Sequence, residues 1–455
     1  MGRFFGTDGI RGVANADLST DLVDRLGRAA VHVLSPGGRG RFAVGRDPRI
    51  SGDLLEAALV AACCSAGADV LRLGVLPTPG IALLTRDLDV HAGAVISASH
   101  NPMEDNGVKL FAPTGFKFPD EMEARIEVMM DEAPSLPRPT GAAVGRIQDV
   151  ADAAERYLAY LVGLAGARLD GWRIAVDCAN GATAHVAPRL WERLGATVIP
   201  LHASPNGTNI NAGCGSTHPE VIQAAVLEHQ ADLGFAHDGD GDRVIAADRR
   251  GRVLDGDTIM GITALHHAAR GTLPGNLLVA TVMTNMGIEV ALHARGVRLE
   301  RARVGDRYVL ERMLETGARV GGEQSGHVIF LDHATTGDGL VTALQLMNVL
   351  LESGRPVEEH AEPFLHRFPQ ILLNVRVQFP ERWQDDPEIL AAVADAERRL
   401  AGRGRVLVRA SGTEPLVRVM TECDVAALAH ETARSLVDLI ARRLDGTVTT
   451  RDPSA

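Results

Sequence analysis

Residues 41–74 read RFAVGRDPRISGDLLEAALVAACCSAGADVLRLG, and three elements are legible in them. RFAVGRD (41–47) is a short apolar run suited to a buried strand. DLLEAALVAACCSAGA (53–68) is a helix-length run closed by glycine, and DVLRLG (69–74) is a second strand. Strand, turn, helix, glycine stop and strand is the grammar of a βαβ unit. Strands joined this way are expected to lie parallel through a right-handed crossover. The grammar recurs at RIAVDCANG (173–181), HVAPRLWERLGA (185–196) and TVIPLH (197–202). It recurs again at NLLVATVMTN (276–285), GIEVALHARG (287–296) and VRLERAR (297–303). Three such units predict three related α/β domains.

The last ninety residues follow another pattern. ILLNVRVQF (371–379) alternates as a half-buried strand does. RVLVRAS (405–411) and PLVRVMTEC (415–423) are further short strands, and VAALAHETARSLVDLIARRL (425–444) is an amphipathic helix. This predicts a smaller α+β domain, with the polar TVTTRDPSA at 447–455 as a frayed end. The stretch APSLPRPTGAAVG (133–145) reads as a linker, with weaker boundaries at RRGRVLDGD (249–257) and HRFPQ (366–370). Four domains result, at 1–150, 151–250, 251–367 and 368–455.

Composition narrows the functional classes. The 455 residues are 45% hydrophobic and 23% charged, ordinary for a globular chain with a sizeable core, but only 4% aromatic, so Ala, Val, Leu and Ile must fill it. A net charge of −12 argues against nonspecific nucleic-acid binding, and no apolar run approaches the length of a membrane span. Five cysteines, 63, 64, 178, 214 and 423, show no C-x-x-C spacing, which fits neither a disulfide framework nor a zinc site. With no apolar leader in MGRFFGTDGIRG, the expectation is a cytoplasmic protein with reduced thiols.

Within ADLGFAHDGDGDRV (231–244) Asp238, Asp240 and Asp242 alternate with glycine after a buried strand. Carboxylates so close repel unless a cation sits among them, and hard oxygen donors favour Mg²⁺ or Ca²⁺. An EF-hand needs Gly sixth and Glu twelfth, and counting from Asp238 gives Arg243 and Arg249. Three carboxylates leave Mg²⁺ short of six ligands, so water or a phosphate oxygen must complete the set. VRASGTEPLVR (408–418) places Arg409, Ser411, Gly412, Thr413 and Arg418 where hydroxyls, backbone N–H groups and guanidinium forks suit a phosphate. An ordinary turn between strands is the plain alternative. FGTDGIRG (5–12) sets Arg11 among turn residues, and GGEQSGH (321–327) offers Glu323, Ser325 and His327 in a glycine-lined loop, with Glu323 and Ser325 spaced to accept from and donate to vicinal hydroxyls. No nucleotide-binding glycine motif occurs, and His266 and His267 read as helix residues. Ser99 in ISASHNPMEDNG (96–107) lacks the G-x-S-x-G elbow, and His100, being adjacent, is expected to point away from it.

SASHNP, DGDGDR, GGEQSGH and RASGTEP, in this order and one per inferred domain, resemble the four active-site loops of the α-D-phosphohexomutase superfamily. FGTDGIRG, GEQSGH and SGTEP are most similar to the branch that acts on glucosamine phosphates. The resemblance implies an α/β protein of four domains around a central cleft, three related βαβ-type mixed-sheet domains plus a smaller C-terminal α+β domain. They would carry, in chain order, the phosphoserine loop, the metal loop, the sugar loop and a phosphate site. It implies Ser99 as the phosphoryl carrier and one Mg²⁺ held by Asp238, Asp240, Asp242 and a phosphate oxygen on Ser99, with Arg243 closing the metal loop. Arg11 and Lys109 match basic residues near the transferred group, and Lys109, Arg11 and His100 are the candidates for general acid/base. Glu323, Ser325 and His327 match the sugar loop, and Arg409, Ser411, Gly412, Thr413 and Arg418 the distal phosphate site. The implied reaction interconverts glucosamine 6-phosphate and glucosamine 1-phosphate through glucosamine 1,6-bisphosphate, feeding UDP-N-acetylglucosamine and cell-wall synthesis. The partner would be a small sugar phosphate, with neither nucleic acid nor membrane, and a homodimer compatible with it. Alternatives on the residues are glucose or mannose phosphate as substrate on the same fold, a metal-dependent phosphatase with Asp238 as nucleophile, and a calcium-binding module.

Overall fold

A computed structural model of the chain describes residues 3–6, 8–36, 39–411 and 414–449. It divides into two compact units, Met1–Met283 with Gly296–Ala361, and Thr284–Arg295 with Glu362–Ala455. The first unit holds three sheets and the second holds one.

The first sheet contains β1 (Ile10–Val13), β2 (Arg41–Arg46), β3 (Asp69–Val75), β4 (Ala92–Ile96), β5 (Asp105–Phe111) and β6 (Ile147–Asp149), in the order β1-β5-β4-β2-β3-β6. The second contains β7 (Arg173–Asp177), β8 (Thr197–Leu201), β9 (Leu233–His237), β10 (Val244–Asp248) and β11 (Val253–Leu254), in the order β11-β10-β9-β7-β8. The third contains β12 (Leu277–Thr281), β13 (Arg298–Ala302), β14 (Val320–Gly322) and β15 (Val328–Phe330), in the order β13-β12-β14-β15.

These sheets share one motif. In each, two strands separated by a helix pair in parallel, as β2 with β3, β7 with β8 and β12 with β13. A third strand, β4, β9 or β14, joins the other side of the first, also parallel. A fourth, β5, β10 or β15, then folds back antiparallel on the third. The parallel core follows from the sequence grammar, because strands buried on both faces are continuously apolar. Ala92–Ile96, Leu233–His237 and Leu277–Thr281 are buried at every position. The hairpin from third strand to fourth leaves each sheet at the carboxyl end of its parallel strands, where open α/β sheets place ligands.

Two sequence expectations are corrected. FGTDGIRG is partly a strand: β1 pairs antiparallel with β5, Arg11 opposite Gly107, because the exposed edge of β5 accepts it. The tail is not wholly frayed, since β19 (Thr447–Thr449) pairs with β16 (Gln370–Arg376) and buries Val448 partly against the core of the second unit. The helix Met286–His293 belongs to the second unit. Asn285 explains this: its amide donates to the Phe368 carbonyl (2.9 Å) and accepts from the Phe368 N–H (3.0 Å). In that unit β17 (Gly404–Ala410) and β18 (Leu416–Cys423) complete the order β17-β18-β16-β19. The helices Pro387–Leu400 and Ala426–Arg443 pack on this sheet. The first of these has an N-cap, Asp386, whose carboxylate accepts from the N–H groups of Glu388 and Ile389, with Pro387 in the first turn.

The low aromatic content concentrates packing on a few rings. Trp191, on the helix Ala187–Arg193, stacks on Phe235 of β9 at 5.2 Å between centroids, and both are fully buried. Phe235 lies three residues before Asp238, so this contact seats the strand that carries the acidic loop. Trp191→Ala is expected to destabilise the protein by about 3–5 kcal/mol, read as a lowered denaturation midpoint by circular dichroism.

Candidate active site

Each loop singled out in the sequence occupies a hairpin. Ser99 lies between β4 and β5, the three aspartates between β9 and β10, Glu323 to His327 between β14 and β15, and Ser411 between β17 and β18. The first three belong to one unit.

Ser99 is buried with φ +52°, a left-handed backbone that few non-glycine residues adopt. Its hydroxyl donates to Asp238 Oδ2 at 2.6 Å. The same conformation brings Ser99 Oγ to 3.4 Å from His100 Nδ1, so the two side chains are closer than their adjacency predicts. Burial first, then the charges of Arg243 and Arg11, lower the His100 ring to about 4, leaving it neutral at neutral pH.

The loop is held from beneath by groups that the motif reading missed. Arg49 and Asp47 are both fully buried and pair at 3.0 Å. The Arg49 guanidinium donates to the carbonyls of Ser99 (2.9 Å), Asn101 (2.8 Å) and Pro102. Asp47 accepts from the Ser97 hydroxyl at 2.6 Å, whose oxygen accepts the Ser99 N–H at 3.0 Å. From the second sheet, the Asn211 amide donates to the same Ser99 and Asn101 carbonyls. A signal was present: Asp47 and Arg49 sit just past the carboxyl end of the first parallel strand, where ligand sites gather.

Asp238, Asp240 and Asp242 are 1%, 1% and 5% exposed, and ligand oxygens from the three lie within 4.8 Å of one another. Burial, then the charges of Asp242 and Asp240, push the Asp238 carboxyl well above its ordinary range. Burial would raise Asp242 too, but His327 chiefly, with Lys109 and Arg243, holds it low. Thr78 Oγ donates to Asp240 Oδ2 at 2.7 Å, and Lys109 Nζ lies 3.0 Å from the same oxygen. Among the described residues, Asp240 Oδ1 and Asp242 Oδ1 are buried with no hydrogen-bond partner. Acceptor oxygens left bare in a buried acidic cluster are what a hard cation satisfies, so the donor set fits a divalent metal of the Mg²⁺ type.

Positive charge surrounds the triad. Lys109 is buried; burial would lower it, but Asp240, Asp8 and Asp242 hold it well above its usual value, as an ammonium. Arg11 pairs with Asp8, and Lys117 bridges Asp8 and Asp306. The Arg243 N–H donates to Asp238 at 3.1 Å. Asp8, Lys117 and Asp306 were not singled out in the sequence, although Asp8 lies within FGTDGIRG.

His327 departs from its expected place on the sugar. It is 3% exposed, with Nδ1 3.6 Å from Asp242 Oδ2, and its Nε2 accepts the Gly337 N–H at 3.1 Å. The pull of the buried Asp242 carboxylate draws the ring inward, to the metal loop. Glu323 is half-buried and accepts from the Gly305 N–H at 3.0 Å, while Ser325 is exposed. Gly326 makes this placement feasible: with φ +94°, a Cβ there would collide with the Val244 carbonyl, and its own carbonyl accepts the Val244 N–H at 3.1 Å. The loop from Glu323 to His327 is thereby tied to the strand leaving the acidic loop.

In the second unit Arg409 and Arg418 face each other across the β17–β18 ladder. Burial, then the Arg418 charge, lowers Arg409 from its ordinary value. Two guanidiniums opposed on one ladder repel, and an anion between them relieves that repulsion. Ser411 accompanies them, its N–H donating to the Leu416 carbonyl. Gly412 and Thr413 lie outside the described residues.

The comparisons with known proteins agree with this layout. The domain I profile of phosphoglucomutase/phosphomannomutase matches residues 2–136, domain II residues 155–251, domain III residues 255–368 and the C-terminal domain residues 372–439. The chain belongs to the phosphoglucomutase/phosphomannomutase family, the α-D-phosphohexomutases. Among curated relatives it is 54% identical over 444 residues to the phosphoglucosamine mutase of Pelotomaculum thermopropionicum, covering 97% of this chain and 99% of that one. It is 53% identical to that of Saccharopolyspora erythraea with the same coverage. A Burkholderia thailandensis phosphoglucomutase/phosphomannomutase family protein superposes with a TM-score of 0.83 at 25% identity, over 98% of this chain and 99% of that one. The Aspergillus fumigatus N-acetylphosphoglucosamine mutase, solved with GlcNAc-6P and magnesium, shares the fold (TM-score 0.68, 17% identity, 97% and 96% coverage).

Arg49→Met leaves the fully buried Asp47 carboxylate and three carbonyls of the phosphohexomutase serine loop without their partner. A loss of about 3–5 kcal/mol is expected, read by chemical denaturation.

Proposed function

We propose that this phosphohexomutase interconverts glucosamine 6-phosphate and glucosamine 1-phosphate through a phosphorylated Ser99. The observation that carries the chemistry is the buried Ser99 hydroxyl on Asp238 beside two carboxylate oxygens that accept no hydrogen bond among the described residues. The choice of amino sugar rests on relatives 50–55% identical across nearly the whole chain, each a phosphoglucosamine mutase. It is an isomerase, because the phosphoryl group leaves one sugar oxygen and another arrives on a second.

Asp238, Asp240 and Asp242, with a phosphate oxygen on Ser99, would hold the metal. A bound Mg²⁺ supplies charge neutralisation at the transferring phosphoryl group. The chain's own residues do the rest. Arg49, Asp47 and Ser97 fix the loop backbone so that Oγ points at the acidic loop. In the forward direction the bond between Ser99 Oγ and phosphorus breaks as the sugar's O1 bonds to phosphorus, and the O1 proton leaves. That proton passes to the freed Oγ, and the neutral His100 ring, 3.4 Å from Oγ, is placed to relay it. Lys109 and Arg11 hold positive charge beside the transferring group. The product of this step is glucosamine 1,6-bisphosphate. After it reorients, Oγ bonds to phosphorus as the bond from phosphorus to O6 breaks, the Oγ proton passes to O6, and the 1-phosphate is released. Glu323 and Ser325 hold sugar hydroxyls, and Arg409, Ser411 and Arg418 hold the phosphate that is not being transferred. His327 keeps Asp242 ionised and oriented.

Four measurements test this. Intact mass before and after phosphatase treatment should differ by one phosphoryl group that maps to residues 97–102, and Ser99→Ala should lose both the label and mutase turnover by several orders of magnitude. A fully active Ser99→Ala enzyme would sink the proposal. Offered glucosamine, glucose and mannose 6-phosphates separately, the enzyme should turn over the amino sugar fastest. Chelation of divalent metal should abolish turnover, and added Mg²⁺ should restore it.

A further inference from the structure

A second cluster of metal-binding side chains lies in the second sheet, apart from the aspartate triad. Asp177 ends β7, His202 follows β8, and Cys214 sits in the loop before the helix Pro219–Glu228. One donor atom from each lies within 4.8 Å of the other two. Asp177 and Cys214 are fully buried, while the His202 side chain is 35% exposed and opens the cluster to solvent. We propose that Asp177, His202 and Cys214 form a site for a soft divalent cation of the Zn²⁺ class, with water as its fourth ligand.

The donor set separates this site from the triad. A thiolate with an imidazole and a carboxylate selects Zn²⁺ over Mg²⁺, whereas three carboxylates do the reverse. The spacing agrees. Asp177 Oδ1 and His202 Nδ1 are 3.1 Å apart. Zinc bonds of about 2.0–2.1 Å to oxygen and nitrogen span roughly that edge at a near-tetrahedral angle. His202 reaches this position only because its backbone is left-handed, φ +44°. Asp177 is already oriented: Oδ1 accepts the Ala179 N–H at 2.9 Å and Oδ2 the Gly215 N–H at 2.8 Å, the outer hydrogen bonds that fix a ligating carboxylate. Burial, then the Asp177 charge, pushes the Cys214 thiol up to about 12, so an entering cation must displace its proton.

The site also has a route to the catalytic loop. The Ala179 carbonyl accepts the Asn211 N–H at 2.9 Å, and the Asn211 amide holds the Ser99 and Asn101 carbonyls. A cation joining Asp177, His202 and Cys214 therefore braces the loop from which Asn211 grips the phosphoserine turn.

Co²⁺ is the probe, because a thiolate ligand gives it a charge-transfer absorption in the near ultraviolet that carboxylates do not. Full-length protein is stripped of metal, saturated with Mg²⁺ to fill the triad, and titrated with Co²⁺. The expected result is a thiolate band saturating at one equivalent, displaced by Zn²⁺ and absent from Cys214→Ser. His202→Gln, at a half-exposed side chain that a folded protein tolerates, should weaken Co²⁺ affinity by about tenfold or more. Absence of the band in the wild type, its persistence in Cys214→Ser, or unchanged affinity in His202→Gln would each overturn the site. None of these readings depends on mutase turnover, so the result stands apart from the function proposed above.

Discussion

Three buried carboxylates that cannot all be ionised without help are the constraint on which the active centre depends. Asp238, Asp240 and Asp242 meet at the end of a strand buried at every position. Burial and mutual repulsion drive Asp238 toward its protonated form, while His327, Lys109 and Arg243 keep Asp242 ionised. Such a cluster is tolerable only if positive charge is supplied from outside the loop. The surrounding architecture does this by bringing cations from two other sheets.

The result is a closed chain of alternating charge. Asp8 meets Lys109 at 3.1 Å, Lys109 lies 3.8 Å from Asp242, and Asp242 lies 3.6 Å from His327. His327 approaches Asp306 at 3.9 Å, and Lys117 joins Asp306 back to Asp8. The first sheet's segment supplies Asp8, Lys109 and Lys117, the second supplies Asp242, and the third supplies His327 and Asp306. Asp242 has its lysine on the first segment and its imidazole on the third, so the three loops are registered by electrostatics as well as by the backbone bonds through Thr78, Gly326 and Gly339.

The parallel core and the four loops were legible because they depend on local pattern. Continuous apolar runs, glycine stops and helix-length spacers declare the βαβ units, and D-G-D-G-D-R declares a cation. The antiparallel fourth strand of each sheet was not legible as part of a repeat, since β5, β10 and β15 differ in length and composition and pair only through tertiary geometry. The same limit applies to the site. Ser99 and the aspartates carry their own signal. Arg49, Asn211, Asp306 and Lys117 are single polar residues in unremarkable contexts, and only the fold brings them to the loops. His327 was read with its sequence neighbours Glu323 and Ser325, yet a side chain two residues from an exposed serine can turn into the core when a buried carboxylate waits there. The thiol at Cys214 was set aside for lack of C-x-x-C spacing, a rule that sees only ligands close in sequence.

Under the proposed phosphorylation of Ser99, the same electrostatics would couple phosphate and metal. A phosphoserine adds about −1.5 to −2 charges at neutral pH, directly beside the Asp238 oxygen that the Ser99 hydroxyl now contacts at 2.6 Å. Added alone, that charge would deepen the repulsion that already raises Asp238. A divalent cation added alone would meet three carboxylates and Lys109, which already takes up part of their charge at 3.0 Å from Asp240. Added together, the dianion offers the cation a further oxygen and the cation screens the dianion from the aspartates, while Lys109 is released toward the transferring oxygens. On the proposed function each addition would be favourable chiefly in the presence of the other, so metal affinity and phosphorylation state would be linked quantities in this site, as reciprocal binding requires.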